Sequence, residues 1–249
     1  MGGPLQCIPM VLAAALALSP LAAWAPETRV RMLDEAVRLM PASLRLALEH
    51  HREELLRGML VPMVDEDGPR HRPAWVQGSL DATVDAQARS LLETLGRPAA
   101  PFSEIAASFG TLAHYVADAG FPPGASRNDG AARYVHFSRF CEERRGRFPV
   151  VFQGHDDPLL AEGDWGGFAR RELERAGDSD RDLSRAYAAA GEPPDPAAFD
   201  DRSVPFAVGS LSYSRSINNI TRVWLNVWRR AQGDMSRLPY GKAPPPPDP

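Results

Sequence analysis

Residues 103–119 read SEIAASFGTLAHYVADA, and the chain continues over 120–136 as GFPPGASRNDGAARYVH. Ile105, Phe109, Leu112 and Val116 recur at steps of three and four, the period of an α-helix with one apolar stripe, and Ser103 is placed to cap its start. On this helix His114 and Asp118 stand one turn apart, at i and i+4, where an imidazole and a carboxylate point the same way and can grip one metal ion. A lone pair of this kind is more often a solvated or capping pair than a metal site, so its weight comes from the ordered set around it. A Pro-Pro-Gly turn follows, and a shorter helix from Arg133 to Glu143 carries His136.

The rest of the chain keeps the helical period. Val30, Leu33, Val37 and Met40 mark a helix over 27–40 that Pro41 closes. Leu44, Leu48, Leu55 and Met59 continue it as one helix over 42–60, which breaks at VPMVDEDGPRHRP (61–73), an acidic loop with three prolines and a glycine. A serine-capped helix is expected over 79–95, two short helices over 167–176 and 180–190, and a long closing helix over 206–232 carrying Val208, Leu211, Ile217, Ile220, Trp224, Val227 and Trp228. Trp224 and Trp228 read as core. PPDPAAFDDRSVP (193–205) reads as a loop. No internal repeat and no alternating strand pattern is present, so the expected fold is all-α, a single multi-helix domain with long loops over 24–239.

The two ends differ from this middle. MVLAAALALSPLAA (10–23) is an apolar run followed by small residues, too short to span a bilayer and suited to a cleaved signal peptide over 1–23, although MGGPLQCIP before it carries no Lys or Arg. Cleavage after Ala23 would make Trp24 the new first residue, remove Cys7, and leave Cys141 as the one remaining thiol of a secreted or periplasmic product. The tail over 240–249 ends APPPPDP and is expected to be extended and disordered. The length of 249 residues with 44% hydrophobic content suffices for a real core, and the net charge of −4 with arginines spread along the chain argues against a nucleic-acid footprint built on charge.

In order, Trp24, the helix ending at Met40, the histidine of GPRHRP, LAHYVADAGFPPG and His136 together resemble the zinc-dependent phospholipase C and single-strand nuclease superfamily, over most of the mature chain up to about Glu143. That resemblance implies an all-α domain of the phospholipase C type, a three-zinc cluster and hydrolysis of phosphodiesters. Carried over residue by residue, it implies that Trp24 chelates metal through its free amine and carbonyl. It implies that His71 is the loop ligand, that His114 and Asp118 are the H-x3-D pair, with Asp118 also orienting water, and that His136 is the histidine of a final H-x3-E. Four ligand positions depart from the pattern: Arg29 replaces a first-helix histidine, Met63 a carboxylate, Gly124 a turn histidine and Phe140 the last glutamate. Asp65 or Asp67 lies near enough to Met63 to substitute. Glu143 does not, since seven helical residues put it about 10 Å from His136.

The pattern therefore implies one retained zinc position, held by a carboxylate, His71, His114 and Asp118, with damage to the other two. One ion still generates hydroxide but clamps a phosphodiester less well than three. Arg29 cannot bind metal, yet it can contact a phosphate or supply a missing positive charge. Two functions follow from this reading. One is a secreted metal-dependent phosphodiester hydrolase acting on a phospholipid or nucleic acid with a reduced zinc site. The other is an inactive relative that works as a binding or envelope-associated protein. His50 with Glu54 reads as a solvated helix face, His155 in QGHDDP as turn chemistry, and Asn219-Ile220-Thr221 as a glycosylation sequon discounted because its helix is expected to be buried.

Overall fold

Twelve residues of the 102–119 segment are buried, and from Leu112 to Ala119 every side chain is covered, so the stripe read from the sequence widens into a helix enclosed on all sides. The computed structural model describes residues 24–64, 67–127, 131–191 and 198–241. The expected leader over 1–23, Asp65 and most of the proline-rich tail lie outside them.

Among the described residues the helices are α1 (Pro26–Arg38), α2 (Ala42–His50), α3 (Arg52–Leu60), α4 (Leu80–Leu95), α5 (Phe102–Ala119), α6 (Ala131–Arg144), α7 (Pro158–Glu162), α8 (Trp165–Ala190) and α9 (Val204–Arg230), with short 3-10 turns and no strand. The all-α expectation holds. One hydrophobic cluster runs from Trp24 to Val227 and surrounds α5 with α1, α3, α4, α8 and α9. None of these helices is long and apolar enough to cross a membrane. Cys141 is a buried free thiol.

Three expectations about the elements are corrected. The helix over 42–60 is two helices, because His51 leaves helical geometry at φ −103°, ψ 36° and lays its ring against Phe102, centroids 5.5 Å apart. The segments over 167–176 and 180–190 form one helix of 26 residues. Gly177 would interrupt it on propensity alone, but its bare Cα faces the Ala125 carbonyl, and Asp180 one turn on is buried against Arg133. Ser103 is not a cap: α5 starts at Phe102 after Pro101, and Ser79 stands at the N-cap of α4 without a side-chain bond to its first turn.

Close approach of α3 and α5 sets up the site. A Cβ on Gly110 would lie 2.1 Å from the Leu55 carbonyl oxygen, and one on Gly58 would lie 2.0 Å from the Ala107 carbonyl oxygen, so the two helices touch backbone to backbone. That contact brings the Met59 carbonyl within 2.8 Å of His114 Nδ1. Gly110→Ala is expected to push the helices apart and cost about 1–3 kcal/mol, read by urea unfolding; an unchanged midpoint would contradict this account of the packing.

Candidate metal centre

His114 and Asp118 project from the enclosed half of α5, and His71 reaches them from the end of the 3-10 turn Gly68–His71. His71 Nδ1 lies 2.8 Å from Asp118 Oδ2, His114 Nε2 lies 3.2 Å from the same oxygen, and the two imidazole nitrogens are 3.3 Å apart. Ligands at zinc distances in a tetrahedron are separated by about 3.3–3.5 Å, so this triangle is close to one face of such a shell.

The donors are oriented by their surroundings. His114 Nδ1 donates to the Met59 carbonyl, which leaves the Nε2 lone pair facing Asp118 and His71. A lone pair and a carboxylate oxygen thus converge with at most one N–H, from His71, between them, a chemistry that suits a divalent cation. His114 and Asp118 are 1% and 2% exposed.

Arg29 completes the group from α1. Its guanidinium is 1% exposed and donates through Nε to the Trp24 carbonyl at 2.9 Å, through Nη1 to the His114 carbonyl at 3.3 Å, and through Nη2 to Asp118 Oδ1. The two oxygens of Asp118 are thereby divided, one toward the guanidinium and one toward the histidines. Arg29, expected as a phosphate contact, is placed against protein oxygens. Trp24 is wholly buried, its indole N–H bonded to the Ala117 carbonyl and its ring edge-on to Phe121.

Burial disfavours charge on Asp118, but the Arg29 guanidinium beside it outweighs burial and holds the carboxyl well below its ordinary range. Burial and then the Arg29 charge lower the His114 pKa, keeping its imidazole neutral. Both shifts have one sign for stability. A depressed folded pKa contributes stability that is complete above the unfolded value and drains as pH falls toward the folded one. The melting temperature is therefore expected to be level above about pH 7 and to fall from about pH 6.5 downward as His114 and then Asp118 take up protons. A thermal melt series from pH 8 to pH 4 that stays flat would contradict these assignments.

The other expected ligands are placed elsewhere. His136 is not brought to the cluster: its Nδ1 lies 2.7 Å from the Tyr187 hydroxyl and its ring packs on Tyr187 and Phe199. Phe140 packs on Phe137 and Phe199 beneath Arg144, so aromatic packing fills the place where an H-x3-E ligand pair would stand. Met63 is buried, Gly124 faces the Phe121 ring, Glu143 pairs with Arg139, and Glu142 accepts from Thr28. Asp67 is exposed ahead of the 68–71 turn.

The residue of α6 turned toward this region is Tyr134, packed on Phe121 with centroids 5.1 Å apart, its phenol pKa raised by burial and then by the charge of Asp118. The spacing Tyr134, Phe137, Cys141 was a readable inner stripe, and it puts His136 on a neighbouring face. His155 Nε2 lies 2.7 Å from the Pro239 carbonyl.

The fold and the cluster together define an all-α domain with a buried two-histidine, one-aspartate centre that could hold a metal ion. Among solved structures the chain is similar to the alpha-toxin of Clostridium perfringens from an avian strain, with TM-score 0.57 and 14% identity over 83% of this chain. It is also similar to the alpha toxin of Clostridium absonum, with TM-score 0.54 and 13% identity over 84% of this chain. The chain spans 64% of the length of each toxin. At these identities the likeness is one of fold. No protein-family model matches the chain, and no curated protein matches it.

Proposed function

We propose that this protein is a metal-dependent phosphodiester hydrolase of the phospholipase C or nuclease type working with a reduced, single-ion site. The observation that carries the reading is the convergence of His71 Nδ1, His114 Nε2 and Asp118 Oδ2 within 3.3 Å of one another inside a fold shared with the alpha-toxins. Zinc is the ion this nitrogen and oxygen set would take, and when bound it supplies a Lewis acid that makes water a nucleophile near neutral pH. Met59 fixes the His114 tautomer, and Arg29 keeps Asp118 ionised and in place. Asp118 would hold the ion through Oδ2, with Oδ1 kept by Arg29, and would orient water bound there. Phospholipid and single-stranded nucleic acid are the two substrates the resemblance implies, and secretion rests on the segment over 1–23.

The aromatic packing of His136 and Phe140 favours a second reading, an inactive relative that binds a ligand or works at the cell envelope. Hydrolysis of bis(p-nitrophenyl) phosphate, of phosphatidylcholine vesicles and of single-stranded DNA, before and after chelation and zinc return, separates the two. Turnover lost on chelation and restored by zinc supports the hydrolase. No turnover on any of the three by zinc-loaded protein would overturn it.

A further inference from the structure

A guanidinium in the core needs a reason, and that of Arg29 is placed where a cation would otherwise be expected to gather. Its charge meets Asp118 Oδ1, and its Nε holds the Trp24 carbonyl, so two oxygens able to ligate a hard cation are both occupied by one organic cation. Asp118 Oδ2, on the other side of the same carboxylate, faces His71 and His114. Arg29 and Asp118 are an ion pair in direct contact, each 1% exposed, so the charge of each is met within the core before any ion arrives.

We propose that Arg29 is a built-in second cation of this centre. It takes the place of a second metal ion between Trp24 and Asp118, limits the site to one ion on the histidine side, and keeps the unloaded chain folded by neutralising Asp118. The proposal rests on the metal reading above for its stoichiometry, but not for its charge role. Lysine would supply the charge from a single point, whereas the planar fork of arginine reaches both the carbonyl and the carboxylate.

The test uses the purified full chain, stripped with chelator and titrated with zinc. Wild type is expected to take one equivalent. A folded Arg29→His chain is expected to take two, because the shorter neutral ring releases the Trp24 carbonyl and Asp118 Oδ1 and adds a nitrogen beside them. Two equivalents in wild type, or one in folded Arg29→His, would overturn the proposal.

Zero equivalents in wild type would instead remove the metal reading, and a second measurement still decides the charge role. In metal-free melts Arg29→Met is expected to lower the midpoint by about 10 °C or more, and adding Asp118→Asn to recover much of that loss. Strictly additive effects of the two substitutions would overturn it. This cycle also covers an Arg29→His chain that fails to fold.

Discussion

Asp118→Ala is expected to lower stability by about 3–5 kcal/mol and to abolish zinc binding at the same time. The carboxylate is the ion-pair partner of Arg29, and removing it leaves a guanidinium that is 1% exposed with carbonyls but no counter-charge. In a chain of this size that corresponds to a melting temperature lower by about 10 °C or more. Asp118→Asn keeps the shape but loses the charge and turns one of the two oxygens, which face Arg29 and His71, into an N–H donor, so a nearly equal loss is expected from it. Urea unfolding and a zinc titration of the two variants check this. Near-wild-type stability in either would show that Arg29 and Asp118 do not depend on each other.

Trp224→Ala is the other large effect, at about 3–5 kcal/mol. The indole is wholly buried on α9, its N–H donates to the Phe109 carbonyl of α5 at 3.1 Å, and its ring meets Phe109 edge to face with centroids 5.4 Å apart. It ties the closing helix to the helix that carries His114 and Asp118. Trp224→Phe retains most of the buried ring and gives up one hydrogen bond, so about 1–2 kcal/mol is expected. Unlike Asp118→Ala, both variants are expected to bind zinc normally at temperatures where they are folded. Unfolding curves and zinc stoichiometry together separate this loss of packing from loss of the centre.

How much of this was legible before the structure follows from what each signal depends on. Helix periodicity reports burial of one face, and it located α1, α4, α5 and α9 within a few residues of their ends. The register of ligands on α5 was equally readable, since His114 and Asp118 need only one helical turn to share a face. The long α8 was not, because Gly177 and its polar neighbours weaken a local pattern that Ala125 and Arg133 support only through tertiary contact.

His136 failed for a related reason. Sequence order placed it beside the cluster, whereas the inner stripe of α6 runs through Tyr134, Phe137 and Cys141 and turns His136 toward Tyr187. Arg29 could be named from the sequence but not oriented. That its guanidinium lies folded over the Trp24 carbonyl and away from solvent depends on α1 and α5 being packed together, which no spacing encodes. The Met59 carbonyl was invisible for the same reason, since it belongs to the backbone of a helix that two glycines bring into contact.

His71, His114 and Asp118 are proposed to form one metal position. Anomalous diffraction at the zinc absorption edge, from crystals of the full chain equilibrated with zinc, tests it most directly. One strong peak is expected within ligand distance of His71 Nδ1, His114 Nε2 and Asp118 Oδ2, with none between Trp24 and Asp118 Oδ1. An empty map at the three donors would contradict it.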